Sequence, residues 1–315
     1  MSLDSYESAM PDLYANWLTT LLGPLPSETR ATCANCAMCI ADDGQRPAAA
    51  YPFEPDVRCC VYLPQLPSFL VGGILQDNEY APASALLEER IAQRVGVTPL
   101  GIGSTPRHDF LFQNTVNAVG RSHALRCPYF VEDGFVCGIY PYRNHLCATY
   151  FCKHDRGQTG FVFWHAAKQL LQAVEEDLAK WCALQLDLSP SALSLLVRES
   201  QPPTDSGEID GQMAPAVYAS FWGNWYGREK EYYQQCQRLV APLDWSTVLS
   251  ICGPKVPMLA KITELALANV NLHGFPTKLR AGSYQLLGVN SEGISAITYA
   301  STDPVGIPHT VLSVL

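Results

Sequence analysis

The sequence predicts a mainly helical α+β protein with a loop-rich, cysteine-rich region at its amino-terminal side. Two segments, residues 82–95 and 161–186, place apolar residues at helical spacing. Two stretches without such spacing, residues 31–62 and 127–155, contain nine of the twelve cysteines. Segments of this kind bury little apolar surface by themselves, so we expect something other than a hydrophobic core to order them.

The composition is that of a folded protein without a basic surface. Hydrophobic residues make up 48% of the chain and charged residues only 16%, which allows a sizeable core. The formal net charge is −9 and no run of Lys and Arg occurs, so nucleic acid is not expected as a partner.

The first residues and the hydropathy of the chain predict a cytoplasmic protein. The segment MSLDSYESAMPDLYANWLTTLLG lacks the basic start and the uninterrupted apolar run of a secretion signal. No stretch of about 18 apolar residues occurs, so no membrane partner is expected. In the cytoplasm, cysteines favour metal binding or thiol chemistry over disulfides.

A polar segment divides the chain into two predicted domains. Residues 201–211, QPPTDSGEIDG, have the Pro, Gly and Ser content of a linker. We therefore expect a cysteine-rich domain over residues 1–200 and a smaller helical module over residues 206–315 that ends in a β-hairpin.

The elements of the first domain follow from spacing and turn residues. Helices are predicted at residues 11–22, 82–95 and 161–186, with a further short helix at residues 189–197. The segment YFVEDGFVCGIY predicts a hairpin that turns at Asp133-Gly134.

The second domain is predicted from two helices and two strands. Residues 213–240 indicate a long aromatic-rich helix and residues 255–270 another, and residues 277–301 contain two strands around the turn at Val289 to Gly293. This order suggests a small module of winged-helix type. The aromatic run at residues 217–233 is interpreted as core, with a partner or a planar ligand as the alternative.

The upstream cysteines have the spacing of metal ligands. Cys33, Cys36 and Cys39 form a CxxCxxC run, in which thiolates converge from a tight turn and supply three corners of a cubane cluster. Zinc also uses CxxC steps, usually as two pairs. The pair Cys59-Cys60 is the expected source of a fourth ligand, and only one of the two is expected to face that site because adjacent side chains diverge.

The downstream cysteines are Cys127, Cys137, Cys147 and Cys152. The predicted hairpin returns the chain to its start, so we expect Cys127 and Cys137 to meet. Pro128 fixes the backbone after the first thiol, and Gly138 leaves room for N–H to sulfur contacts after the second. Four thiols brought together in this way suit zinc or an iron–sulfur cluster, in two separate sites or in one shared polynuclear site.

Other cysteines and histidines carry weaker patterns. Cys182, Cys236 and Cys252 lie on apolar helical faces and are interpreted as small buried hydrophobes. His154 and His165 are candidate ligands, with a solvated or supporting histidine as the alternative. The chain contains no phosphate-binding loop, no serine-hydrolase elbow and no HExxH motif.

The downstream cysteines and their neighbours resemble a known family. Cys127-Pro128-Tyr129-Phe130, Cys137-Gly138-Ile139-Tyr140, the run from Tyr142 to Cys147, and Phe151-Cys152 resemble the CPxL, CxIY, RPxxCRxF and Cys pattern of the CxxCxxCC (YkgJ-like) family. Its members are described as zinc- or iron-chelating proteins, and flagellin lysine N-methylases look like longer members of the group. The resemblance covers about residues 31–155 and implies one compact metal-binding unit.

The chain departs from that family pattern at three places. Cys39 is followed by Ile40, so the double cysteine comes later, at Cys59-Cys60. Asn144 replaces the family's proline and Ala148 its arginine. The ligand set of the upstream cysteines is therefore less defined by the resemblance than that of the downstream cysteines.

These observations predict a metal-binding domain with an iron–sulfur cluster or zinc, and the CxxCxxC run favours the cluster. Three functions remain open. The first is a redox or peptide- or protein-modifying enzyme of methyl-transfer type, the second a structural zinc protein, and the third a metal carrier or sensor. The ligands predicted are Cys33, Cys36, Cys39, Cys59, Cys60, Cys127, Cys137, Cys147 and Cys152.

Overall fold

The protein has a mainly helical α+β fold, as the sequence predicts. The computed structural model describes residues 10–28, 36–39, 52–189, 192, 194, 212–271, 285–297 and 305–309. The helices are α1 (Asp12–Leu22), α2 (Ser68–Gln76), α3 (Ala81–Gln93), α4 (Pro106–Asn114), α5 (His145–Thr149), α6 (Gly157–Gln185), α7 (Pro215–Trp222), α8 (Glu229–Val240), α9 (Trp245–Ile251) and α10 (Lys255–Asn271). None of these helices combines the length and apolar character needed to cross a membrane.

The strands form three small antiparallel sheets. They are β1 (Leu66–Pro67), β2 (Val97–Thr98), β3 (Gly101–Ile102), β4 (Phe130–Val131), β5 (Val136–Cys137), β6 (Gln285–Val289), β7 (Gly293–Ile297) and β8 (Val305–Pro308). The sheet orders are β1-β3-β2, β4-β5 and β6-β7-β8. The pair β4-β5 is the predicted hairpin, and Gly134 turns it with φ of 80°.

One hydrophobic core contains helices from both sides of the predicted linker. The helix α2 packs on α8, and α6 packs on α10. The largest side chains of this core that are fully buried include Trp17 of α1, Phe163 of α6, and Trp222 and Tyr233 of α7 and α8. The linker at residues 201–211 and most of residues 189–197 lie outside the described residues.

The predicted helices at residues 11–22, 82–95, 161–186 and 255–270 are confirmed within a few residues by α1, α3, α6 and α10. The α6 stripe is buried, with Phe163, Leu170 and Val174 at 0% exposure. The helix begins four residues earlier than predicted, at Gly157, whose N–H donates to the carbonyl of His154 at 3.1 Å.

The prediction of one long helix over residues 213–240 is wrong. The chain forms α7, a short 3-10 turn at residues 223–225 and then α8. Gly223 and Gly227 have φ of 51° and 80°, outside the right-handed helical region, so one helix ends before the next begins. The aromatic residues Tyr218, Trp222 and Tyr233 are nevertheless buried, so their interpretation as core is confirmed.

The carboxy-terminal sheet contains one more strand than the sequence predicts. The two strands predicted in residues 277–301 are β6 and β7, and β8 pairs with β7 as a third. Asn290 shapes the turn between β6 and β7, because its side-chain oxygen accepts from the N–H groups of Glu292 and Gly293 at 2.9 and 3.0 Å.

Candidate metal centre

The upstream cysteine turn is fixed to the segment that follows it. The N–H of Cys39 donates to the carbonyl of Cys36 at 3.2 Å, which closes the turn. The N–H of Phe53 donates to the carbonyl of Met38 at 2.9 Å, and Met38 is buried. The CxxC step of Cys36 and Cys39 therefore lies beside residues 52–54.

The Cys59-Cys60 pair is joined to the downstream cysteines through the backbone. The N–H of Cys127 donates to the carbonyl of Cys60 at 2.7 Å. Arg58 donates to the carbonyl of Phe135 at 3.2 Å, and its guanidinium lies 4.9 Å from the centre of the Phe135 ring. These contacts hold the 58–60 turn against the hairpin.

The hairpin brings Cys127 and Cys137 together, as predicted. In the β4-β5 register, Phe130 lies opposite Cys137, and the N–H of Phe130 donates to the carbonyl of Cys127 at 3.0 Å. The role expected of Gly138 is wrong: its N–H donates to the carbonyl of Tyr129 at 2.7 Å rather than to a sulfur. A Cβ at Gly138 would lie 2.9 Å from that carbonyl oxygen, so the close pairing of the strands requires glycine.

The short helix α5 positions Cys147. Asn144 caps this helix, because its side-chain oxygen accepts from the N–H of Cys147 at 3.1 Å. The Asn144 amide also donates to the carbonyl of Gln65 at 3.2 Å, and its side chain is fully buried. Arg143 donates to the carbonyl of Cys147 at 3.2 Å.

A buried carboxylate that the sequence did not indicate anchors α5 to the long helix. Glu175 of α6 is only 4% exposed. It accepts from the N–H of His145 at 2.5 Å and lies 2.7 Å from Nδ1 of the same residue. Tyr14 of α1 donates its hydroxyl to Glu175 at 2.5 Å. Burial, followed by the charge of Glu175, raises the pKa of Tyr14 well above its usual value.

One set of thiols centres on Cys36. A hydrogen bond from the Cys152 thiol, with further N–H donation from Met38 and Cys39, lowers the pKa of Cys36 to about 5. Burial and the neighbouring charge of Cys36 raise the pKa of Cys39 to about 12. The hydrogen bond to Cys36 and burial also raise the pKa of Cys152. We call Cys36, Cys39 and Cys152 the Cys36 trio.

A second set surrounds the hairpin. Burial, followed by the charge of Cys137, raises the pKa of both Cys127 and Cys147. The N–H of Tyr129 donates to the Cys127 sulfur and acts in the opposite direction. We call Cys127, Cys137 and Cys147 the Cys127 trio. Cys152, which the sequence placed with these three, instead hydrogen-bonds to Cys36.

Cys59 lies between the two trios. Its hydrogen bond with the Cys60 thiol, followed by burial, raises the pKa of Cys59. It interacts electrostatically with all three members of the Cys36 trio and with Cys127 and Cys147. The structure thus gathers eight of the nine predicted ligands in one region, and Cys33 lies outside the described residues.

The other cysteine and histidine candidates have different surroundings. Cys182 and Cys236 are fully buried in the core, as predicted. Cys252 is only half-buried at the end of α9, so the buried position expected for it is wrong. His154 is half-buried between the rings of Phe151 and Phe161, and burial lowers its pKa. His165 is exposed on α6.

The donor chemistry of the region fits zinc or an iron–sulfur cluster. Both are held by thiolates, and N–H donation to sulfur, as at Cys36 and Cys127, stabilises a thiolate. Arg58 beside Cys39 and Arg143 beside Cys147 favour the charged form of those thiols. Within the part of the chain that the structure describes, no three His, Cys, Asp or Glu side chains have the spacing of ligands around one ion.

Comparison with known proteins adds no relative. No protein-family model, no curated protein and no solved structure matches the chain.

Proposed function

We propose that this chain is a metal-binding protein whose cysteines hold an iron–sulfur cluster or zinc, with the cluster favoured by the CxxCxxC run. The observation that carries the proposal is the meeting of thiols from four separate segments: the turn at residues 36–39, the pair at 59–60, the hairpin at 127–137 and the segment from α5 to Cys152. A cluster in this region would support a redox or peptide- or protein-modifying reaction, as the resemblance to flagellin lysine N-methylases suggests.

The protonation state of these thiols depends on whether a cation is bound. Cys127 and Cys147 have raised pKa values because burial and neighbouring sulfur charge both oppose ionisation. A metal ion reverses this effect, because it deprotonates the thiols that coordinate it. Metal binding at these thiols therefore releases their protons.

A structural zinc site is the second candidate, and the small local core favours it. The downstream loops reach the main core through Tyr129 and Ile139. The upstream loops around Cys59 pack instead on a separate hydrophobic cluster with four buried residues among those described, Val57, Val61, Ala118 and Leu125. So little apolar burial contributes little to ordering these loops. Zinc held by four cysteines would supply the missing stability, as it does in small metal-dependent domains.

The test is the metal content and visible spectrum of protein purified without oxygen. A brown protein with thiolate-to-iron absorption and several irons per chain supports the cluster. A colourless protein with stoichiometric zinc supports the structural site. Protein that contains neither metal, and that takes up neither on reconstitution, contradicts the proposal.

The ligand assignment is tested by substitution. Cys36→Ser and Cys137→Ser should each lower the metal bound per chain, because each removes one thiolate from a different trio. Cys252→Ser is the matched control, since Cys252 lies half-buried at the end of α9, outside both trios. Unchanged metal content in both ligand variants would remove the assignment.

A further inference from the structure

Four aromatic side chains of α7, α8 and the turn between them form a continuous line of rings. The ring centres of Tyr226 and Tyr218 lie 6.2 Å apart, and those of Tyr218 and Trp222 lie 5.8 Å apart. The line continues to Tyr233, whose ring centre lies 5.5 Å from that of Trp222. These spacings are typical of aromatic rings in direct contact. We call these four residues the ring line, and it contains only tyrosine and tryptophan, the two aromatic side chains that lose a single electron readily.

The ring line runs from the hydrophobic core to the surface of the protein. Tyr233 and Trp222 are 0% exposed, and Tyr218 is 2% exposed. Tyr226 is 51% exposed and forms the end of the line that meets water. The rings therefore connect an interior that excludes water to a residue that can exchange its proton with water.

Packing alone does not explain why the buried rings carry polar groups. The hydroxyl of Tyr218 and the indole N–H of Trp222 make no hydrogen bond of normal geometry within the described part of the chain, although the two groups lie near each other and near the carboxylate of Glu229. Burying a polar group without a hydrogen bond costs free energy, and phenylalanine would pack as a ring without that cost. Ready loss of one electron is a property of tyrosine and tryptophan that phenylalanine lacks.

We infer that the ring line is an outlet for single-electron oxidation, which moves from Trp222 in the core to Tyr226 at the surface. A one-electron oxidant converts Trp222 to its radical cation, which then takes one electron from Tyr226 across the ring of Tyr218. Tyr226 releases its phenol proton to water and becomes a neutral radical, and Trp222 is restored. The direction follows from exposure, because Tyr226 is the tyrosine of the line that lies against water able to accept its proton. This activity is independent of the proposed metal binding.

The test oxidises tryptophan in the full-length protein by a near-ultraviolet flash, with a cobalt(III) ammine complex present to take up the ejected electron. Transient absorbance should show tryptophan radical converting to tyrosyl radical at a rate independent of protein concentration. Peptide mapping by mass spectrometry should then find several-fold more oxidation at Tyr226 than at Tyr150, which is 47% exposed and lies outside the ring line. Equal oxidation of these two tyrosines in the wild type would overturn the inference, whatever the folding of any variant.

Three substitutions identify the tryptophan that supplies the oxidation. Trp222→Phe should lower oxidation of Tyr226 to the level of Tyr150, because the carrier in the core is gone. Trp245→Phe, the matched control, removes a tryptophan that is 5% exposed and outside the ring line, and should leave oxidation of Tyr226 unchanged. Trp225→Phe removes the half-buried tryptophan next to Tyr226 in the sequence and should also retain it. Loss of Tyr226 oxidation in Trp225→Phe, or its persistence in Trp222→Phe, would show that the electron does not follow the ring line.

Discussion

At the scale of single residues, Glu175 connects the candidate centre to the core. Its carboxylate is buried in α6 and accepts from Tyr14 of α1 and from the backbone and ring of His145 in α5. The same helix α5 carries Cys147, whose pKa is raised in part by the charge of Glu175. The position of one predicted ligand thus depends on a carboxylate 28 residues away in the chain.

Glu175→Ala should lower the free energy of unfolding by about 3–5 kcal/mol, because it leaves buried donors on Tyr14 and His145 without their acceptor. The measurement is urea unfolding followed by far-UV circular dichroism. Glu176→Ala provides the control, since Glu176 is exposed and bonds only to Gln172 among the described contacts. Its effect should stay within about 0.5 kcal/mol. Equal stability of the two variants would show that the Glu175 contacts are not structural.

Sequence reasoning identified the cysteines and missed their supports. The predicted ligands have recognisable spacing, because short turns present neighbouring thiols to one metal. The pair of Glu175 and His145 has no such signature: the partners come from different helices, and only tertiary packing brings them together. The same reason explains why Cys152 was grouped with Cys127, its neighbour in the downstream run, although its thiol contacts Cys36.

At the scale of elements, close contact between α2 and α8 depends on one glycine. A Cβ at Gly72 would lie 1.9 Å from the carbonyl oxygen of Tyr233, which is backbone and has little freedom to move. The adjacent Gly73 faces the ring of Tyr142, at 2.5 Å from the position of a Cβ. The helix α2, with the sequence SFLVGGILQ, is surrounded by protein on all sides, since every residue except Gln76 is buried.

Gly72→Ala should therefore destabilise the protein by about 1–3 kcal/mol through overpacking. Alanine normally favours a helix over glycine by about 1 kcal/mol, so a loss of stability identifies the steric effect. Gly288→Ala is the control, because no atom lies within 4 Å of the added Cβ. A thermal unfolding scan of both variants decides the point, and a gain of stability for Gly72→Ala would contradict the close contact.

Amphipathic helices were predictable, whereas α2 and the break between α7 and α8 were not. The helices α1, α3, α6 and α10 each bury one face, and this produces periodicity in the sequence. The helix α2 is buried all round, so periodicity is absent. The break at Gly223 and Gly227 is a local signal that the continuous run of aromatic residues obscured.

At the scale of the whole molecule, buried tyrosines connect helices of the hydrophobic core to other segments through hydrogen bonds. Tyr233 of α8 is fully buried and donates its hydroxyl to the carbonyl of Thr98 at 2.7 Å, which joins the carboxy-terminal helices to the β2-β3 segment. Burial raises the pKa of Tyr233 and of Tyr14 well above the usual value. These residues remain protonated in the folded protein at a pH where the unfolded chain ionises.

The sign of the resulting pH dependence follows from linkage. A tyrosine in the unfolded chain has a pKa of about 10, and the folded pKa of Tyr233 is higher. Below about pH 10 both states are protonated, and the stabilising contribution is complete. Above that pH the unfolded state loses protons first, so the free energy of unfolding falls by about 1.4 kcal/mol per pH unit for each such tyrosine.

The prediction is a steep alkaline loss of stability that depends on Tyr233. Urea unfolding of the wild type at several values above pH 10 should show the decline, and phenolate absorbance of the buried tyrosines should appear only with unfolding. Tyr233→Phe should reduce the slope by about 1.4 kcal/mol per pH unit, because the titrating hydroxyl is gone. Tyr226→Phe, which alters a side chain that is 51% exposed, is the control substitution. Ionisation of Tyr233 in protein that keeps its native circular dichroism would contradict the prediction, because it would show that the Tyr233 hydroxyl is accessible to water in the folded protein.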